Sequence, residues 1–191
     1  NHILSNSGFK EANFSIKLGK DLINKGWNVK YSSYNLEPGI LKSSHIGNVQ
    51  DLFYALNSNE PSIINDFTYN IEAPKQLAKH QKLTLRYFKS FENNTKLELG
   101  YNFQNNKRKE FDIRRGGRTE IPVVDLLLKT HTLNGSLSGI DIKNWNFELG
   151  INGFFQDNFS TPDTGVKRLI PDYIKFETGV YFLGNFQRSY L

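Results

Sequence analysis

The 191 residues include no cysteine and no methionine, and histidine occurs only at positions 2, 45, 80 and 131. Without cysteine there is neither a disulfide framework nor a thiolate metal site. The four histidines have no spacing that suggests a metal centre, and no Walker-type phosphate loop or nucleophile elbow occurs. No catalytic constellation stands out, so the chain reads as a non-enzyme that needs no cofactor. Long apolar runs are missing as well. Nothing approaches the ~18 consecutive apolar residues of a membrane helix, which excludes a helical membrane protein. The chain starts at Asn1-His2-Ile3 with no initiator methionine and no signal sequence, and so reads as a mature product or an excised piece.

Charge is present but dispersed. The net charge of +5 comes from 24 Lys plus Arg against 19 Asp plus Glu. Apart from Lys107-Arg108-Lys109 and Arg114-Arg115 the basic residues are scattered, which argues against nucleic acid as a partner. With 38% hydrophobic residues and a mean hydropathy of -0.52 the average resembles that of a soluble protein, while 14% aromatic residues is high. Averages conceal a transmembrane barrel, because only alternate strand residues face lipid and the loops are polar.

Alternation is what the chain does have. In residues 82–103, Leu83, Leu85 and Tyr87 share one face and Lys82, Thr84 and Arg86 the other. After the polar turn Glu92-Asn93-Asn94-Thr95, Leu97, Leu99, Tyr101 and Phe103 oppose Lys96, Glu98, Gly100 and Asn102. A period of two predicts strands. The pattern recurs upstream, with Phe14, Ile16 and Leu18, a turn at Asn24-Lys25-Gly26, then Trp27, Val29 and Tyr31. Downstream it predicts a long strand of mixed facing over 123–137, a turn at 141–144, a strand from Trp145 to Gly153 and a last strand over 174–182. The turns near 24, 93 and 142 are short, whereas 35–74, 105–121 and 157–172 are long and polar. Short turns at one end and long loops at the other are the plan of outer-membrane barrels, and Trp27 and Trp145 fall where an aromatic girdle would lie. Tyr173 is expected in the girdle too, at the re-entry into the wall. The expected fold is thus all-β, an antiparallel up-and-down transmembrane β-barrel segment of about seven strands.

The loops supply the candidate ligand contacts. Arg114, Arg115 and Arg118 around Gly116-Gly117 suit an anion, through guanidinium forks and a backbone nest, with a solvated loop or a salt bridge to Asp112 or Glu120 as the plainer alternative. His131 shares a strand face with Lys129 and Asp125; if that face is luminal it meets substrate or plug, or else joins an ordinary polar lining. Val49, Leu52, Phe53 and Leu56 are spaced as one apolar helix face that packs the first loop, and Tyr54 and Phe53 are candidates to stack on a ligand.

Three stretches resemble a known family. Phe154-Phe155-Gln156-Asp157-Asn158 followed by Pro162-Asp163-Thr164-Gly165-Val166-Lys167-Arg168-Leu169-Ile170-Pro171-Asp172-Tyr173 resembles a recurring barrel segment of TonB-dependent outer-membrane receptors. Arg114-Arg115-Gly116-Gly117-Arg118 leading into Ile121-Pro122-Val123-Val124-Asp125-Leu126 resembles the loop-to-strand passage before it. Ser44-His45-Ile46-Gly47-Asn48 through Leu52 and on to Asp66-Phe67-Thr68-Tyr69 resembles an upstream extracellular loop. Such receptors are barrels of about 22 strands around a plug, so the resemblance implies that residues 1–191 are part of a single barrel domain, without the plug. It further implies a place in the bacterial outer membrane and uptake of a scarce nutrient such as an iron chelate, haem, cobalamin or oligosaccharide. The implied partners are outer-membrane lipid, the remainder of the barrel and plug, a TonB-type energy-coupling protein acting through the plug, and a surface lipoprotein. The alternating faces alone also allow a soluble or surface-attached β-sheet module for glycan or protein, its apolar faces closed on each other as a sandwich core.

Overall fold

The computed structural model describes residues 4–44, 48–61 and 63–187. Seven strands, β1 (Phe9–Asp21), β2 (Lys25–Pro38), β3 (Lys75–Ser90), β4 (Lys96–Phe111), β5 (Val124–Ile142), β6 (Trp145–Ser160) and β7 (Tyr173–Phe186), form one antiparallel sheet in sequence order. Each hairpin pairs only with its neighbours in the chain, so the topology is up-and-down. Among the described residues β1 and β7 are free edges and the sheet is not closed into a barrel. The strands, of 13 to 19 residues, run well past the alternating cores that the sequence marks. The long loops are correspondingly shorter than expected.

Register turns seven local alternations into two continuous faces. The row Ile16, Tyr31, Leu83, Phe103, His131, Phe155, Phe176 crosses all seven strands through direct pairs. Because side chains alternate, every second residue from this row lies on the same face. Leu85, Leu97, Leu99, Tyr101, Phe147 and Leu149 therefore join Leu83 on one apolar face. Toward the long loops this face becomes polar: Asn105 donates to Gln81 and Gln81 to the Tyr31 hydroxyl, and the ion pairs Lys75–Glu37 and Lys109–Asp125 lie at 2.9 and 3.0 Å. Toward the short turns Trp145 packs with Phe147 and Phe186, at centroid distances of 5.8 and 5.2 Å. On β6 the apolar stretch from Trp145 to Phe155 is ten residue steps, about 33 Å along the strand. At a barrel strand's tilt that is a band of about 25 Å.

The opposite face is polar. Thr84 donates to Asn102, which donates to Thr132, a ladder across β3, β4 and β5 with lengths of 2.9 and 3.2 Å. Gln156 links Thr130 to the Tyr173 hydroxyl in the same way across β5, β6 and β7. Tyr173, expected on the same face as Trp27 and Trp145, is instead on the polar face: it pairs with Asn158, and that parity sets its facing.

Almost nothing apolar is buried. Among the described residues the buried hydrophobic side chains are Ile71 and Ala73. A folded soluble monomer of 22.0 kDa exposes about 9,300 Å² by size scaling. This chain exposes 14053 Å². All seven strands are in a single sheet, so no second sheet stands opposite the apolar face and the expected sandwich core does not form among the described residues. No helix is long and apolar enough to cross a membrane, which has no bearing on crossing by strands.

Candidate binding face and loops

Local anchors fix the first long loop at its base. Asn6, at a φ of 60°, shares its side-chain amide among the carbonyls of Ile40, Glu72 and Pro74 at 2.9 Å, and its side-chain oxygen accepts from the Glu72 amide. One side chain therefore ties both ends of the loop to the chain ahead of β1. Removing it takes a donor from the Ile40 and Glu72 carbonyls, while Pro74 keeps the Ile40 amide, and places a Cβ residue lacking a local acceptor at positive φ. Asn6→Ala is expected to cost about 1–3 kcal/mol locally, read as faster amide exchange over 39–41 and 70–73 with the strand centres unchanged. Lys42 pairs with Glu72 beside this anchor and holds its carboxyl below the usual carboxylate range. A depressed carboxyl stabilises the folded loop above its ordinary pKa and loses that contribution as pH falls through the lowered value. The loop base is expected to loosen only in acid, below about pH 4, measurable as a pH-dependent rise in exchange at Glu72.

Within this loop the predicted helix forms as α1 (Val49–Asn57), capped by the Asn48 side chain accepting from the Asp51 amide at 2.9 Å. Its apolar stripe does not pack the loop. Val49, Leu52, Phe53 and Leu56 are all exposed, and Tyr54 is 69% exposed. Tandem i, i+3, i+4 spacing specified the helix, but among the described residues no neighbour covers its stripe. His45, with Ile46 and Gly47 of the same stretch, lies outside the described residues, as does His2.

The arginine loop has a different role from a convergent triad. Arg114 donates to the Thr164 carbonyl at 2.9 Å, and a Cβ on Gly165 would lie 2.9 Å from the Arg118 guanidinium. Both arginines thus clasp the loop between β6 and β7, whose base is held by Asn158 donating to the Pro171 carbonyl and by Asp172 accepting from the Ser160 amide and pairing with Arg168. Arg115 is exposed, next to Gly116 and Gly117 at φ of 72° and 70°. His131 lies on the apolar face instead of in a luminal polar lining. It packs between Phe103 and Phe155 and shares a 2.7 Å hydrogen bond with the Tyr101 hydroxyl. The reason is parity: Leu133 and Leu137 have the same facing as His131, and β5 looked mixed because Leu126-Leu127-Leu128 puts apolar residues on both faces of its upper part, interrupting the alternation.

The five candidate residues therefore occupy three separate places. What the register does bring together is the row Gly19, Asn28, Arg86, Gly100, Asn134, Asn152, Gly179 on the polar face. Gly100 is open in the middle of this row, with only the Asn134 amide within 4.0 Å of a built Cβ. Asn28, Arg86, Asn102, Asn134 and Asn152 border a groove of about 540 Å³ over it. The signal was present in the sequence as the polar half of each alternation, yet single strands cannot show which polar residues become neighbours. Among the described residues no cluster of three or more metal-ligating side chains occurs. Comparison with protein-family models, curated proteins and solved structures returns no match to this chain.

Proposed function

We propose that this sheet is part of the wall of a TonB-dependent outer-membrane receptor, with its apolar face against lipid, its polar face toward a watery lumen and its long loops outside the cell. The observation that carries the reading is a seven-stranded up-and-down sheet with one continuous apolar face and almost no buried core. Such a sheet needs a cover, and a bilayer covers one face while leaving the other wet. Its free edges need further strands, which the rest of a larger barrel provides. The role is transport: the wall and loops admit a scarce nutrient, and a TonB-type partner acting through a plug supplies the energy. No bond-breaking chemistry is assigned. Detergent extraction of the full-length gene product is expected to yield a heat-modifiable β-barrel, and recovery as a soluble monomer overturns the reading. Uptake by a deletion strain against a panel of iron chelates, haem, cobalamin and oligosaccharides then identifies the nutrient.

A further inference from the structure

The net positive charge that is scattered in sequence is gathered by the register. Lys17 pairs directly with Lys30, and Lys30 with Thr84. Lys82 and Arg86 lie two residues either side of Thr84 on β3, so all four cations share the polar face around one threonine. Like charges directly opposite destabilise a sheet. None of the four has a carboxylate within ion-pair distance among the described residues. Of the acids on that face, Glu98 pairs with Lys96 at 2.8 Å, and Asp21 lies four residues along β1 from Lys17, opposite Gly26, without reaching any of the four; Glu148 and Glu177 are three and four strands away from β3, engaged with the Tyr181 hydroxyl and Lys175. Arg86 also borders the groove over Gly100, where Asn28 and Asn134 offer amides that make no side-chain hydrogen bond among the described residues; Glu98 borders the same groove, its charge met by Lys96.

We infer that this corner of the polar face binds a small, multiply charged anion bearing carboxylate or phosphate groups. Lys17, Lys30 and Lys82 supply charge, Arg86 offers a bidentate fork, and Asn28 and Asn134 donate from the groove. Arg86 joins the lysines to the groove, whose volume of about 540 Å³ falls in the range of small-ligand sites, about 300–1,000 Å³; Lys17, Lys30 and Lys82 stand beside it and do not line it. The uncompensated Lys17–Lys30 pair is the physical signature: a bound anion removes a repulsion that the sheet otherwise carries. This site would face the lumen if the sheet is a barrel wall and open solvent if it is not.

The test uses the full-length protein with citrate and pyrophosphate as probes, by calorimetry at low ionic strength. Saturable binding of either probe is expected, weakened by salt and reduced about tenfold in K30Q/R86Q. Binding of citrate alone or pyrophosphate alone assigns carboxylate or phosphate as the preferred group. K17Q/K30Q is expected to bind more weakly while unfolding at higher denaturant, which a merely structural pair would not do. K175Q, which alters a cation already paired on the same face, is expected to leave binding unchanged. Absence of saturable binding, or binding indifferent to both double variants, overturns the inference and leaves the membrane reading standing. Anion binding by a protein recovered as a soluble monomer overturns the membrane reading alone.

Discussion

Arginine in place of Leu99 is expected to destabilise the sheet in a bilayer by about 2–4 kcal/mol and to leave it nearly unchanged in water. Leu99 stands in the middle of the apolar face, paired with Tyr87 and Gly135, and 45% of its surface is exposed. Half of the side chain has no protein neighbour to lose. In water an exposed leucine exchanged for arginine changes stability by roughly 0.5 kcal/mol or less. In hydrocarbon the guanidinium loses its hydration, and from mid-band it must snorkel along the wall toward the interface. The same substitution thus separates a lipid-facing sheet from a water-facing one. Unfolding of the full-length protein, wild type against Leu99→Arg, in phospholipid bilayers is the measurement. An effect under about 0.5 kcal/mol would remove Leu99 from the lipid face. Glu98→Gln, one residue away on the polar face, is the paired control and is expected to be near neutral.

Gly139→Val is expected to cost more, about 3–5 kcal/mol, in bilayer and water alike. Gly139 has a φ of 70°, and a Cβ there would lie 2.5 Å from the Asn94 carbonyl oxygen, which is backbone and cannot swing away. A β-branched residue is strained in that conformation before any contact is counted. The position also joins two hairpins, since the Thr95 hydroxyl donates to the Gly139 carbonyl at 3.3 Å. Its consequence for the fold is larger than one contact. The register shifts between Leu137 and Ile140, so that Ile140 opposite Phe147 and Ile142 opposite Trp145 share the apolar face with Leu137. Without the bulge the parity would put both isoleucines on the polar face. Gly139→Val is therefore expected to expose the β5–β6 turn to amide exchange and to disturb Trp145 fluorescence. Gly100→Ala, where a Cβ meets open space, is expected to change stability by no more than about 0.5 kcal/mol.

Much of this fold was legible because a strand's facing is a local property. Leu83, Leu85, Leu97 and Leu99 announce their strands within ten residues of sequence, and Glu92-Asn93-Asn94-Thr95 announces the turn between them. Helix α1 was legible for the same reason, from Val49, Leu52, Phe53 and Leu56. What those residues touch was not legible, and the stripe proved exposed. Arg114 and Arg118 were visible as a basic loop, while their partner, the Thr164–Gly165 turn, is some 50 positions away. His131 does share its face with Lys129 and Asp125, but that this face turns apolar was not legible, because Leu126-Leu127-Leu128 interrupts the alternation just above it. Only its partners Phe103 and Phe155 on neighbouring strands reveal which face it shares.

The sequence by itself determined that this protein is an antiparallel sheet of amphipathic hairpins with short turns at one end and long loops at the other, since period, turn chemistry and capping act over a few residues. The tertiary structure alone decided which residues meet across strands. Pairing register placed Lys17, Lys30, Lys82 and Arg86 in one corner and carried the apolar face unbroken across seven strands. It did so through hydrogen bonds between segments as far apart in sequence as Lys25 and Lys89, whose alignment no local pattern encodes.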